Sequence, residues 1–453
     1  MDRALFPAMH FPHLDRVAIP RVARATFAHP RGTPIANIEA AVRASVQASR
    51  RLRQLKPASD VAVALGSRGI SHIALVGRTV ISALREMGLN PFVVPAMGSH
   101  GGGTAEGQVA VLAKLGMTED YLGAPIRATM DTVNYGSTEG GATCRFDQNA
   151  AHSSGIVVVN RVKSHTTFDR PVESGLVKMV AVGLGKAEGA RNVHRIGPRG
   201  LSETLPALAR LAMSKAPISF GIALVEDSME ELVAIEGVEP EDFFSSDERL
   251  LTLAKSFLAR LPFDNLDALI VEQIGKNISG TGMDYAVTGR TDLRGIQNPL
   301  VPSITKIVVL GLTEVTNGNG LGIGLADFTT RHTVDRIDLR TIYMNALTST
   351  FAEKSRIPIV LPDDITAIRA AIATSWSSTD LSVRMSIIRS THDLDEILVS
   401  EGLLPELVKS GKASSVGPLM DLEFGSDGML LTHPYLRDNI ASEPAKAGSP
   451  AGL

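Results

Sequence analysis

Short β-rich runs alternate with longer helix-like runs near the N-terminus of this 453-residue chain. VAVAL (61–65) and PFVVPAM (91–97) are β-rich, and helix-like runs follow them at 73–88 and 104–116. Such alternation predicts a largely parallel sheet covered by helices. We therefore expect an α/β fold, built as two α/β domains with mostly parallel sheets and an active site in the cleft between them.

The boundary between the two domains is predicted at the turn-rich sequence PFDNLD, after which a new β-rich run begins. We expect an N-terminal cofactor-binding domain over residues 1–265 and a smaller C-terminal domain over 266–400. A last segment, 401–453, is expected to return to the N-terminal domain. Its tail from about residue 441 is rich in Pro, Gly and Ala, which predicts disorder.

The composition is that of an ordinary globular enzyme, with 44% hydrophobic and 21% charged residues and a net charge of -3. Basic residues form no stripe, which argues against nucleic acid as a partner. No run approaches the roughly 20 apolar residues of a membrane span. The opening MDRALFPAMHFPHLDR lacks the continuous apolar segment of a secretory signal, so we expect a cytoplasmic protein.

Cys144 is the single cysteine of the chain. An intramolecular disulfide is therefore impossible, and a thiolate-ligated metal cluster or iron–sulfur centre is excluded. A bound metal would need His, Asp or Glu side chains, or an organic ligand.

Three loops that follow predicted strands carry polar side chains. GSRGISH includes Ser67 and Arg68, GSHGGG includes His100, and RVKSHTTF includes Lys163 and His165. Because ligands bind at the carboxyl ends of parallel strands, these loops are expected to form one rim.

The stretch ESGLVKMVAVGLGKAEGARNVH (173–194) places Lys178 sixteen positions before His194. On one straight helix the two would lie about 24 Å apart. Glycines between them permit a turn that brings both side chains to one pocket. GLGKAEG follows the β-like VKMVAV, but its G-x-G-x-x-x-G spacing, with no acidic residue ending a strand about twenty positions on, argues against a conventional NAD site.

Local context leaves several roles open. Lys178 lies in an apolar run that would lower the pKa of an amine and make it nucleophilic, but a lysine extending from the end of an element is an equal interpretation. Arg68 is either a clamp for phosphate or carboxylate or a solvated loop residue. Lys276, together with Glu272 before it, is placed where a substrate would bind between domains.

MGSHGGG, RVKSHTTF and the stretch from Lys178 to His194 resemble the nickel-dependent lactate racemase family and its wider set of 2-hydroxy acid racemases and epimerases. The resemblance covers roughly residues 10–430. It implies a nickel-pincer nucleotide, a pyridinium mononucleotide attached to a lysine through a thioamide and binding nickel through two sulfurs and a ring carbon. A square-planar nickel then needs one imidazole and no cysteine.

The resemblance also implies a role for each candidate residue. Lys178 would anchor the cofactor, and His194 would be both the nickel ligand and a cofactor contact. His100 and His165 would be the acid and base on either face of the substrate, since imidazole titrates near neutral pH. The remaining implied contacts are Ser67 and Arg68 to the cofactor, and Arg68 and Lys276 to the substrate.

The implied reaction is racemisation or epimerisation of a small 2-hydroxy acid. Hydride moves to the cofactor and back through a 2-keto acid, while the protein supplies orientation and charge. The loops LGSRG and GKNISGTGMD depart from the lactate pattern, so the hydroxy acid stays open. Cofactor-maturation enzymes are implied partners, and the oligomeric state is not predicted.

Two alternatives remain open. One is a metal-free Schiff-base lyase or aldolase with Lys178 as its nucleophile. The other is a non-catalytic nucleotide-binding protein of the same fold.

Overall fold

A computed structural model describes residues 6–7, 9–67, 69–165, 170–197 and 200–431. Within these residues the chain forms an α/β fold with mostly parallel sheets, as predicted. The strands are β1 Val22–Phe27, β2 Asp60–Leu65, β3 Asn90–Pro95, β4 Thr132–Ser137, β5 Thr143–Asp147, β6 Gly155–Arg161, β7 Ile218–Glu226, β8 Leu232–Val238, β9 Asn265–Val271, β10 Ser303–Val309, β11 Phe328–Thr330, β12 Ile359–Leu361, β13 Met385–Ile388, β14 Glu396–Ser400 and β15 Ala413–Met420.

Helices connect most of these strands. They are α1 Ile38–Ala48, α2 Ile73–Glu86, α3 Ala105–Lys114, α4 Glu119–Leu122, α5 Gln148–Ala151, α6 Leu176–Lys178, α7 Lys186–Arg195, α8 Leu205–Lys215, α9 Phe243–Ser256, α10 Tyr285–Thr288, α11 Arg331–Asp335, α12 Leu339–Ser349, α13 Asp364–Ala373 and α14 Leu404–Ser410. Two single π-helical turns, Met179–Gly183 and Gly200–Thr204, interrupt the α-helical pattern.

One compact unit comprises residues 30–258. Its sheet has the order β3-β2-β6-β7-β8, in which only β8 runs antiparallel to its neighbour. The inner strands are almost continuously apolar because helices cover both faces of a parallel sheet. Val61, Val63, Val157 and Ile222 belong to its main apolar core.

Of the described residues, 6–7, 9–29 and 259–431 belong to the other unit. Its sheet has the order β12-β11-β10-β9-β13-β14-β1-β15. The five strands from β12 to β13 are parallel, and the remaining pairings are antiparallel.

The division of the chain differs from the predicted domains in three respects. Residues 1–29 were expected in the N-terminal domain, but β1 pairs with β14 and β15 and belongs to the second unit. For the same reason residues 401–431, which include β15, join this unit instead of returning to the first. The unit predicted to be smaller has the larger sheet, because the two chain ends contribute strands to it. The predicted disordered tail from about 441 lies outside the described residues.

Candidate functional site

The loops that carry the predicted residues follow β2, β3 and β6, which are neighbours in the five-stranded sheet. The chain passes from β2 to β3 on one side and then to β6 on the other side of β2. This reversal creates a topological switch point between β2 and β6, where open α/β sheets bind ligands. Ser67, His100 and His165 therefore follow strands at the edge of the sheet where a ligand is expected.

The loop after β3 presents His100 on a backbone that only glycine adopts readily. Gly98 and Gly101 have positive φ angles of 60° and 66°. The backbone N–H of His100 donates to the carbonyl of Met97 at 3.2 Å, which closes the turn. His100 is exposed, and its Nδ1 is hydrogen-bonded to the Oγ of Ser67 from the loop after β2. The structure thus brings two predicted site residues into contact, and Ser67 orients the imidazole.

The loop after β6 is organised by the buried carboxylate of Glu173. It accepts hydrogen bonds from the backbone N–H of His165 and from the backbone N–H of Arg170 at 3.0 Å. Lys255 of α9 forms an ion pair with it at 2.5 Å. Glu173 therefore joins the two ends of the loop that begins at His165 and fixes the backbone of that histidine.

Lys178 lies in a helix and not in the β-like run that the sequence suggested. Its helix α6 begins after Gly175, and the buried carboxylate of Asp247 accepts the first two N–H groups, from Leu176 at 3.0 Å and Val177 at 2.8 Å. A Cβ at Gly175 would lie 2.4 Å from Asp247 Oδ1, so glycine is required there. The carboxylate that starts this helix lies about seventy residues away in sequence, where local pattern does not reveal it.

The start of α6 is also tied to β6. Asn160 on β6 donates from its side-chain amide to the carbonyl of Gly175 at 2.7 Å. Lys178 itself is half-buried at the end of α6, and a π-helical turn follows it at once. Such turns occur often at functional sites.

The glycine-containing stretch after Lys178 turns the chain back, as the sequence suggested. After the π-helical turn Met179–Gly183, Lys186 adopts a φ of 55° and begins α7. Helix α7 then packs against that turn. The carbonyl of Gly183 accepts the backbone N–H of Gly98 at 3.1 Å, which joins this stretch to the His100 loop. His194 lies on α7, and its side chain is outside the described residues.

A buried ion pair lies beside this junction. Lys186 Nζ is 2.8 Å from Asp147 Oδ2, and both side chains have no exposed surface. Lys186 also donates to the carbonyl of Pro95 at 2.6 Å and to Oε1 of Gln108 at 3.1 Å. The sequence analysis did not single out Lys186, because its partners lie far from it in sequence.

Burial shifts the pKa of the carboxyl groups that organise the site. Desolvation raises the pKa of Asp247 to about 7, although the N–H groups of Val177 and Leu176 favour its charged form. Desolvation also raises the pKa of Glu173, against the opposing effect of Lys255. Within the buried ion pair, burial raises the pKa of Asp147 and lowers that of Lys186, and their attraction opposes both shifts.

Lys276 belongs to the other unit, where it follows β9. Its backbone N–H donates to Thr316 Oγ1 at 3.0 Å, and its ammonium is hydrogen-bonded to Asn345 Oδ1. Glu272, also considered from the sequence, is largely buried just after β9. Arg68 lies outside the described residues.

Among the described residues, no three His, Cys, Asp or Glu side chains lie together in a way that could bind a metal ion. Over the same part of the chain, every helix is too short or too polar to span a lipid bilayer.

No protein-family model matches the chain, and no curated protein sequence matches it. Among solved structures, the chain is similar to the lactate racemase apoprotein from Thermoanaerobacterium thermosaccharolyticum. The two share 9% sequence identity with a TM-score of 0.42, and the similarity covers 77% of this chain and 99% of the other.

Proposed function

We propose that this chain is an isomerase that racemises or epimerises a small 2-hydroxy acid, using a nickel-pincer nucleotide attached to Lys178. The observation that carries the proposal is the junction at the switch point. There the imidazole of His100 is hydrogen-bonded to Ser67. Gly98, in the same loop, donates its backbone N–H to the carbonyl of Gly183, which lies in the turn between Lys178 and His194.

The residues present fit this cofactor in their donor chemistry. The single cysteine, Cys144, is buried, and burial raises the pKa of its thiol to about 11, so it is a poor thiolate ligand at neutral pH. A nickel ion here needs donors from an organic ligand, completed by one imidazole, for which we propose His194. Lys178 is half-buried at the end of α6, and its amine is the proposed point of covalent attachment. When bound, the cofactor would accept and return the hydride of the substrate.

The protein side of the reaction is proton transfer and orientation. We propose that His100 and His165 exchange the hydroxyl proton of the substrate from opposite faces, His100 through Nε2 because its Nδ1 contacts Ser67. Arg68 and Lys276 are proposed to bind the substrate carboxylate, since both are cations able to donate hydrogen bonds to it. Ser67, assigned from the sequence to the cofactor, also orients His100. Loading is proposed to need separate maturation enzymes.

The test is intact-mass spectrometry with peptide mapping and nickel analysis, on protein produced together with cofactor-synthesis enzymes. We expect an adduct at Lys178 and nearly one nickel per chain. Lys178→Ala should abolish the adduct, and His194→Ala should lower nickel content while leaving the adduct possible. Lys163→Ala, which removes a lysine from the neighbouring loop, serves as the matched control and should leave both unchanged.

Contrary outcomes have definite meanings. Equal nickel in His194→Ala and the unsubstituted protein would refute the assignment of that ligand. Unmodified Lys178 without nickel, while a known racemase is loaded in the same cells, would refute the cofactor. Borohydride trapping of a keto acid on Lys178 would then identify a Schiff-base lyase, and ligand binding that survives loss of His100 and His165 would identify a non-catalytic binding protein.

A further inference from the structure

The buried ammonium of Lys186 donates two hydrogen bonds and forms one ion pair. The hydrogen bonds go to the carbonyl of Pro95 at the end of β3 and to the amide oxygen of Gln108 on α3. The ion pair is with the carboxylate of Asp147, which balances the buried charge. Lys186 itself begins α7, and the backbone N–H of Asp147 donates to the carbonyl of Leu184 at 2.7 Å.

The bond from Lys186 fixes which way the amide of Gln108 faces. Because Oε1 of Gln108 accepts from the ammonium, Nε2 must point the other way. There it donates to the carbonyl of Gly98 at 2.9 Å and approaches the carbonyl of His100 at 3.4 Å. Gln108 is fully buried, so water does not compete for these contacts. A charge at the start of α7 thereby determines the backbone position of the His100 loop.

We propose that Lys186 is a positioning residue that acts through Gln108 to place the imidazole of His100. The inference deepens the proposed function, on which the catalytic role of His100 rests. Lys186 occupies the left-handed region with a φ of 55°, which a side chain with a Cβ adopts at a cost in backbone energy. Its side-chain contacts stabilise that conformation and keep the turn of the Lys178–His194 stretch against the His100 loop.

A merely structural role can be separated from positioning with two variants. Lys186→Met alone leaves Asp147 buried without its cation and should lower the thermal midpoint. The double variant Lys186→Met/Asp147→Leu removes both charges, and replacing a buried pair by apolar residues of similar volume is often neutral or stabilising. We expect the double variant to regain the midpoint but not the His100 geometry, because Gln108 has still lost its partner.

The readout is the nitrogen-15 NMR signature of His100 in the full chain without cofactor. Labelled histidine gives separate Nδ1 and Nε2 signals, and His100→Gln identifies those of His100 among the eleven histidines. Lys354→Met is the matched control, because Lys354 is also a buried lysine but belongs to the other unit. It should leave the His100 signals unchanged.

Displaced His100 signals in a folded double variant would support positioning, and signals that coincide with those of the unsubstituted protein would overturn it. If the double variant does not fold, Gln108→Met provides the test without removing a charge. Displaced His100 signals there support the proposal, and unchanged signals overturn it. The NMR result does not depend on nickel or on the Lys178 adduct, so failure of the proposed function is recognised separately by mass spectrometry.

Discussion

Asp247→Asn should change how stability depends on pH. Burial raises the pKa of Asp247 from 3.8 to about 7 in the folded protein. Since one pKa unit corresponds to about 1.4 kcal/mol, the shift of about 3 units corresponds to about 4 kcal/mol. Asparagine keeps the shape and stays neutral, but it replaces one of the two accepting oxygens of Asp247 by an NH2 group, so one of the two N–H groups loses its acceptor.

Whether the free energy of unfolding rises or falls with pH depends on which state, folded or unfolded, binds the proton of Asp247 more tightly. Below about pH 4 the carboxyl is protonated in both states, so it contributes no penalty. Between about pH 4 and 7 the folded protein retains a proton that the unfolded chain has released. The free energy of unfolding therefore falls as pH rises, and above pH 7 the full contribution of about 4 kcal/mol has been lost.

Chemical unfolding followed by circular dichroism at pH 5 and pH 8 measures the effect. At pH 5 the variant should be less stable by about 1 to 3 kcal/mol, because one N–H group of α6 loses its acceptor. The folded pKa of about 7 lies about two units above pH 5. Between pH 5 and pH 8 the unsubstituted protein should therefore lose about 3 kcal/mol of its free energy of unfolding, a loss that the variant does not share. The expected crossover is thus specific to a carboxyl that is protonated in the folded state.

Asp338→Asn is the matched control, because Asp338 also accepts two backbone N–H groups at the start of a helix. Hydrogen bonds, first that from the Thr341 hydroxyl, lower its pKa, so it is charged throughout pH 5 to 8 and its substitution should have a constant effect. A constant difference for Asp247→Asn as well would refute the raised pKa and the reasoning from burial.

Three further predictions concern the loops of the site. Lys255→Met leaves the buried Glu173 without its ion-pair partner and should cost about 3 to 5 kcal/mol, measured by chemical unfolding, whereas the double variant with Glu173→Gln should recover part of it. Gly175→Ala should lower the thermal midpoint and the yield of the proposed lysine adduct, and an unchanged midpoint would contradict the close approach to Asp247. Ser67→Ala should alter the His100 nitrogen signals without changing the midpoint; identical signals would exclude that contact.

The sequence was sufficient for the sheet that positions the site. VAVAL, PFVVPAM and GIVVV, the run shortly before RVKSHTTF, contribute to the parallel strands β2, β3 and β6. Each run is short and is followed by a polar or glycine-containing loop, and this combination favours a buried strand over a helix. The loops after them were therefore assigned to one edge of the sheet. Their order in space, which creates the switch point, depends on pairings between distant strands and could not be read locally.

The run VKMVAV shows why other features could not be predicted. An apolar run buried on all sides fits a strand or a helix equally well. The helix forms because Asp247, far along the chain, accepts its first N–H groups. The partners of Lys186 were missed for the same reason, since Pro95, Gln108 and Asp147 lie between about 40 and 90 residues before it.

The pairing of β1 with β14 and β15 has a consequence for biosynthesis. Residue 27 leaves the ribosome 369 residues before residue 396, where β14 begins (396 − 27). At roughly 5 to 20 residues per second, β1 waits on the order of 20 to 70 s for its partners. Meanwhile residues 30–258 are complete and can fold, with Gly32 near Phe257 and the ends of this unit together. At this stage the nascent chain contains the complete unit 30–258, while β1, N-terminal to it, still lacks its partner strands. An unpaired strand exposes hydrogen-bonding groups that can pair with other chains, so this is the stage at which a chaperone would be needed most.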